Sequence, residues 1–158
     1  MIVYHGSSMR VESPDIYHSR DNVDFGKGFY VTAYKEQAEK WAARFKKRNG
    51  HGVVSIYEFN LDACREAFQI IEFDKYNNEW LDFIMACRNA NDKSTFDVVI
   101  GGVANDKVFN TIELFFDGLI EKQEAIKRLR YMKPNSQICI RNQEMIKNYL
   151  VFLKSEEI

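Results

Sequence analysis

Hydrophobic residues fall along the chain in short runs divided by turn-formers, and the period within each run predicts its element. Met1 to Tyr4 reads as a short apolar strand. Residues 6 to 24 are polar and irregular, with Ser7, Ser8, Pro14 and Asp15 favouring turns. Phe29 to Val31 predicts a second short strand behind the turn Gly26-Lys27-Gly28. Ala38, Trp41, Ala42 and Phe45 recur at helical spacing, so a helix over about residues 34 to 48 buries one face. Gly50-His51-Gly52 turns the chain into Val53 to Phe59, a strand rich in β-branched and aromatic residues, and Phe68 to Phe73 predicts another.

In the second half, Trp80, Phe83, Ile84 and Cys87 share one stripe of a helix over Glu79 to Asn91. Asp97 to Val103 reads as a buried strand ending in glycines. Helices are predicted over residues 106 to 116, stopped by Asp117-Gly118, and over residues 121 to 132, through Ala125, Ile126 and Leu129. Lys133-Pro134-Asn135 breaks the chain before a strand at Gln137 to Arg141. Asn142 can then cap a final helix carrying Met145, Tyr149 and Leu150. No repeat, low-complexity tract or linker interrupts this series, so one domain over residues 1–158 is expected. The elements alternate without a long regular βαβ rhythm. The expected class is therefore α+β, with short strands in a twisted, mainly antiparallel core.

Composition narrows the picture. Hydrophobic residues make up 46% and charged residues 28%, which is a globular balance rather than a disordered one. Aromatics at 14% favour a solid core with an aromatic-lined cleft, although most of these rings serve the core in any case. A net charge of -1 offers no nucleic-acid footprint. The one basic run, Arg44 to Arg48, closes a predicted helix, where cations suit the dipole. Three cysteines, at 64, 87 and 139, have neither zinc-knuckle spacing nor an even count, and read as reduced thiols. The N-terminus lacks a signal peptide's cationic start and long apolar stretch, and no run reaches the ~18 apolar residues of a membrane span. A cytoplasmic protein is expected.

The common fingerprints are missing: there is no G-x-G-x-x-G, Walker loop, G-x-S-x-G or H-E-x-x-H. His5, His18 and His51 have no ligand spacing, so no metal site is expected. Three features remain. In Tyr4-His5-Gly6-Ser7, a histidine at a strand end could hydrogen-bond a ribose hydroxyl, and the glycine leaves room for a ligand beside the backbone. The plainer alternative is a histidine satisfying a local turn. In the run from Asp24 to Thr32, two glycines precede an aromatic strand, as in a tight approach with a ring beyond it or in a simple hairpin with a core tyrosine. Trp41, on the next helix, could wall a slot with Tyr30 in which a flat cationic ring would stack, or could be a core tryptophan.

Taken together, His5-Gly6-Ser7 on the first strand, Gly26-Lys27-Gly28-Phe29-Tyr30 before the second and Trp41 on the helix resemble the ADP-ribosyltransferase superfamily, in the branch that includes diphtheria toxin and the poly(ADP-ribose) polymerases. The runs YHGSS, DFGKGFYVT, QAEKWA, DVVIGGVANDKVFNTI and NSQICI…NYLVF are similar, over nearly the whole chain, to a bacterial family of small uncharacterised domains assigned to that superfamily.

The resemblance implies a split, mainly antiparallel β core with flanking helices, and NAD⁺ as co-substrate. By it, His5 holds the adenosine ribose, the Gly6 backbone binds the nicotinamide carboxamide, and Tyr30 and Trp41 sandwich the nicotinamide ring. Ser7 would reach the nicotinamide ribose, and Arg20 and Lys27 are candidates for the pyrophosphate. Two departures stand out. Ala38 replaces a serine that the polymerases carry three residues before the second stacking aromatic, and Gln137 falls where a catalytic glutamate is expected. A glutamine can hydrogen-bond a ribose 2′-hydroxyl but lends no charge to an oxocarbenium-like transition state. His5, Tyr30 and Gln137 are thus the catalytic candidates. Glu144 reads as a solvated helix residue, and Asp106 as a helix cap or an acceptor-activating base.

The implied function is a mono-ADP-ribosyltransferase, with a toxin neutralised by a small antitoxin as its setting. The alternative is an NAD or ADP-ribose binding module with little turnover. The acceptor could be a protein side chain, a nucleic-acid base or phosphate end, or a small molecule.

Overall fold

The computed structural model describes residues 1–104, 106–130 and 135–158, with the backbone alone at Asp106. The first half runs β1 (Ile2–Ser7), β2 (Phe29–Val31), α1 (Lys35–Asn49), β3 (Val53–Phe59), α2 (Leu61–Ala67) and β4 (Ile70–Glu72). The second half adds α3 (Asn78–Arg88), β5 (Val98–Gly101), α4 (Asp106–Phe116), α5 (Lys122–Leu129), β6 (Gln137–Ile140), α6 (Gln143–Tyr149) and β7 (Leu150–Glu157). The expected break at Lys133-Pro134, and the roles considered for the Asp106 side chain, lie outside the described residues.

The strands form two sheets. One is antiparallel, in the order β1-β3-β7; the other is ordered β2-β6-β5-β4, with β4 and β5 its parallel pair. The class is α+β with mainly antiparallel pairing. Strand alternation assigns the layers. Val3, Phe29, Val31, Tyr57, Ile138 and Ile140 meet in a core shared by the two sheets. On the opposite face of the four-stranded sheet, Val99 and Cys139 pack against Trp80, Ile84, Ile112 and Leu129 from α3, α4 and α5. On the outer face of the three-stranded sheet, Val54 and Ile56 meet Ala38 and Ala42 of α1.

α1 lies unusually close to its sheet because small residues meet there. A Cβ built on Gly6 would stand 2.1 Å from the Ala38 carbonyl oxygen, and one on Gly52 would stand 2.5 Å from that of Ala42. The helix ends at Gly50, whose φ of 83° is a left-handed C-cap, with Lys46, Lys47 and Arg48 in its last turn.

Several elements differ from the sequence reading, β4, β5 and α3 being shorter than expected. β1 continues through Ser7, because pairing with Val53 and Val54 extends an otherwise polar end. α2 is too short to show a period and is set by its cap, the Asn60 side chain accepting from the Ala63 amide at 3.3 Å. Leu150 was expected on the last helix; it opens β7, which pairs antiparallel with β3. β7 is an edge strand whose outward residues are largely exposed, so it lacks the alternation that marks a half-buried strand.

Candidate functional site

An isolated backbone bridge joins β1 to the end of β2. Tyr4 and Thr32 exchange amide-to-carbonyl bonds of 2.8 and 2.9 Å, and β1 and β2 part beyond it. In an antiparallel ladder, alternate residues direct their N–H and C=O to opposite edges. Tyr4 directs its pair toward β2, so Gly6 directs its amide and carbonyl the same way, into the space that opens where β2 turns aside. A cleft of about 1310 Å³ lies there, roomy against the ~300–1000 Å³ typical of small-molecule sites.

His5, Gly6, Tyr30, Trp41 and Gln137 all line this cleft, although they come from β1, β2, α1 and β6. The His5 ring lies against Phe29, with centroids 4.6 Å apart, and its Nδ1 is 2.7 Å from the Tyr30 carbonyl oxygen. A carbonyl only accepts, so Nδ1 carries the proton, and in the neutral ring Nε2 is left as an acceptor. Burial lowers the His5 pKa below its ordinary value, opposed by the bond to Tyr30, and this keeps the ring in that neutral form.

Tyr30 is anchored rather than free. Its hydroxyl donates to the Gly26 carbonyl and accepts from the Phe25 amide at 3.1 Å, and burial raises its pKa. The ring thereby holds the Gly26–Gly28 turn in place. Gly26 has a φ of 71°, and a Cβ on Gly28 would meet the Cys139 sulfur at 2.5 Å, so turn geometry and packing on β6 account for both glycines.

Trp41 is not the core tryptophan that the apolar stripe allowed. Ala38 and Ala42 take the buried positions, whereas Trp41 is 43% exposed at the cleft rim, with the Arg44 guanidinium 4.7 Å from its ring. For Gly6, the tight fit against Ala38 is the reason that no side chain is tolerated; the room expected beside it for a ligand is filled by the helix on that face.

Other candidates separate. The Ser7 hydroxyl donates to the Met9 carbonyl at 2.6 Å, and Ser7 is not among the lining residues. Arg20 is exposed and lines the cleft; Lys27 is exposed and does not. Glu144 sits on α6 beside Lys147 at 3.1 Å and does not line the cleft. The long segment between β1 and β2 forms the outer wall. It is pinned by the Val11 amide to Ser55 Oγ at 3.0 Å, the Ile16 amide to Gln143 Oε1 at 3.0 Å and the Gly28 amide to Ser19 Oγ at 3.0 Å.

Gln137 is buried at the start of β6. The preceding Ser136 carbonyl accepts from Thr32 Oγ1 at 2.8 Å and Gln37 Nε2 at 3.0 Å, which sets where the strand begins. The Gln137 amide nitrogen donates to Asp24 Oδ2 at 3.2 Å. Asp24 also accepts from the Ala104 amide at 3.2 Å and from Arg88 at 2.6 Å, and Arg88 lies over the Phe109 ring at 4.8 Å. Sequence reasoning singles out the run that begins with Asp24 but assigns the carboxylate itself no role; Arg88 and Phe109 carry no signal in isolation, because only the fold brings them to this cleft.

A second cavity, of about 770 Å³, lies beside Tyr34, Tyr76, Gly102 and Arg130, and none of the residues singled out for NAD⁺ lines it. Among the described residues no helix is long and apolar enough to cross a membrane. Comparison with known proteins adds a family and no more. No curated protein and no solved structure matches the chain. Residues 1–152 match the family described as protein of unknown function (DUF3990), and the chain belongs to that family.

Proposed function

We propose that the chain is an NAD⁺-dependent mono-ADP-ribosyltransferase and that its two splayed sheets are an ADP-ribosyltransferase-like split. The observation that carries this reading is the convergence of His5, Gly6, Tyr30, Trp41 and Gln137 on one cleft where β1 and β2 part. Neutral His5 offers Nε2 to a ribose hydroxyl. The Gly6 amide and carbonyl match the donor and acceptor of a carboxamide. In this reading Trp41 and Tyr30 would sandwich a nicotinamide ring, and Tyr30 also holds the turn beside the cleft through its hydroxyl bond to the Gly26 carbonyl.

Nicotinamide is a cationic leaving group and needs no general acid. When the C1′–N1 bond breaks, its electron pair stays on the ring nitrogen. The sugar carbon, left positive, takes the lone pair of an acceptor oxygen or nitrogen, whose proton passes to solvent. His5, Gly6, Tyr30 and Trp41 hold the sugar and ring in place while this happens. A toxin restrained by a small antitoxin is the setting we propose for that activity.

The test is incubation with NAD⁺, reading nicotinamide release and the label retained from adenylate-labelled NAD⁺ in a whole lysate. Release by wild type that is lost in His5→Ala supports the reading; absence of both release and an NAD⁺-induced rise in Tm overturns it. A second reading, an NAD or ADP-ribose binding module, is favoured by the uncharged Gln137 at the cleft. It predicts the rise in Tm without release.

A further inference from the structure

Gln137 does not act alone in the cleft. A carboxylate only accepts hydrogen bonds, so Asp24 Oδ2, 3.2 Å from the Gln137 amide nitrogen, fixes which way the amide faces. The nitrogen is committed to Asp24, and the carbonyl oxygen Oε1 is turned the other way. Asp24 is itself held on three sides. The Ala104 amide donates to Oδ2, and both Nε and Nη2 of Arg88 donate to Oδ1, at 3.2 and 2.6 Å. The Asp24 and Arg88 side chains are only 15% and 16% exposed. The pair is therefore an oriented dipole in a largely dry place, with its negative end toward Gln137 and its positive end toward α3. Asp24, Arg88 and Gln137 all line the same cleft.

We propose that Asp24 is the carboxylate of this site: a positioning residue that aims Gln137 Oε1 at a ribose 2′-hydroxyl and supplies, from behind the amide, the negative charge that a glutamine lacks. The inference rests on the NAD⁺ reading above and deepens it. The hydroxyl donates to Oε1, and the amide passes the field of Asp24 to the sugar. As the C1′–N1 bond breaks and its electrons leave with neutral nicotinamide, the positive charge on the sugar grows and the amide–Asp24 chain strengthens. With water as acceptor, the products are ADP-ribose, nicotinamide and a proton.

The experiment compares wild type, Asp24→Asn and the double variant Asp24→Asn/Gln137→Glu, with NAD⁺ as the probe. Nicotinamide release gives kcat and KM, calorimetry gives affinity, and thermal unfolding monitors the fold. Asp24→Asn is expected to lower kcat on the order of 10²-fold, as for loss of one preorganised electrostatic contact, with NAD⁺ affinity changed less than about 3-fold. The double variant returns one carboxylate to the cleft and is expected to recover at least tenfold of that loss. Retention of kcat by Asp24→Asn overturns the proposal. So does a double variant that folds with the wild-type Tm yet recovers nothing, because Asp24 would then serve the fold alone. Wild-type binding without release also removes the charge role. Wild type that neither binds NAD⁺ nor releases nicotinamide takes the NAD⁺ reading down; binding without release favours the binding module, and the two variant outcomes leave the transferase reading standing and reject Asp24.

Discussion

His5 Nδ1 donates to the carbonyl oxygen of Tyr30 across 2.7 Å, joining β1 to β2 immediately past the Tyr4–Thr32 bridge, where the strands separate. The imidazole thereby replaces the next rung of a ladder that the backbone no longer makes. Because partial burial disfavours the charged ring, its folded-state pKa lies below the ordinary value near 6.5. An unfolded chain then binds a proton that the folded chain refuses. The stabilisation is fully present above that ordinary value and is lost as pH falls through the lowered one. Between pH 7.5 and 5, urea denaturation should show stability falling with pH by up to about 1.4 kcal/mol per unit from this group. His5→Gln should flatten the slope; an unchanged slope would mean that His5 does not hold the strands in neutral form.

Gly6 is constrained by α1. A methyl at this position would sit 2.1 Å from the Ala38 carbonyl and 3.0 Å from the Ala42 amide, both backbone atoms of a helix already seated on the sheet. Gly6→Ala should lower stability by about 1–3 kcal/mol or more, read as a lower denaturation midpoint with unchanged m-value. Gly50→Ala gives a useful contrast: nothing lies within 4 Å of its added Cβ, and its cost comes from φ alone, at about 1 kcal/mol. Equal, small effects at both sites would refute the packing argument.

Trp41 offers a separation of binding from folding. Its ring is 43% exposed and is covered by Arg44 rather than by the core. Trp41→Ala should change stability by less than about 1 kcal/mol. It should nevertheless weaken NAD⁺ binding about 3- to 10-fold, the loss of one stacking contact worth ~0.5–1.5 kcal/mol. Calorimetry beside thermal unfolding distinguishes this from a core role, in which the Tm would fall first.

The cysteines should be silent in the folded protein. Cys64, Cys87 and Cys139 are buried and free, and burial pushes the thiols of Cys87 and Cys139 up to about 12. At pH 8 an aromatic disulfide reagent should titrate none of them within minutes, and all of them after unfolding. Rapid native labelling of Cys139 would show that the Phe25–Gly28 turn opens far more readily than its packing implies.

Much of the fold is legible along the chain because local rules govern it. The presence of α1, the β-branched run Val53–Phe59 and the cap at Asn142, whose side chain accepts from the Glu144 amide at 2.9 Å, each follow from period or capping within a few residues. The candidate positions His5, Gly6, Tyr30, Trp41 and Gln137 are likewise visible in one dimension, as residue types at turns and strand ends. Their meeting is not. The rung between Tyr4 and Thr32, the divergence after it and the pairing of β2 with β6 bring β1, β2, α1 and β6 around one cleft. The tertiary structure also decides what spacing leaves open. Gly6 lacks a side chain because a helix lies on it, and Trp41 faces solvent because Ala38 and Ala42 take the buried positions. Asp24 meets Arg88 and Gln137 from positions 64 and 113 residues away. Hydrophobic periodicity is set by near neighbours in the sequence, whereas a buried charge is held by whatever partner the folded chain carries to it.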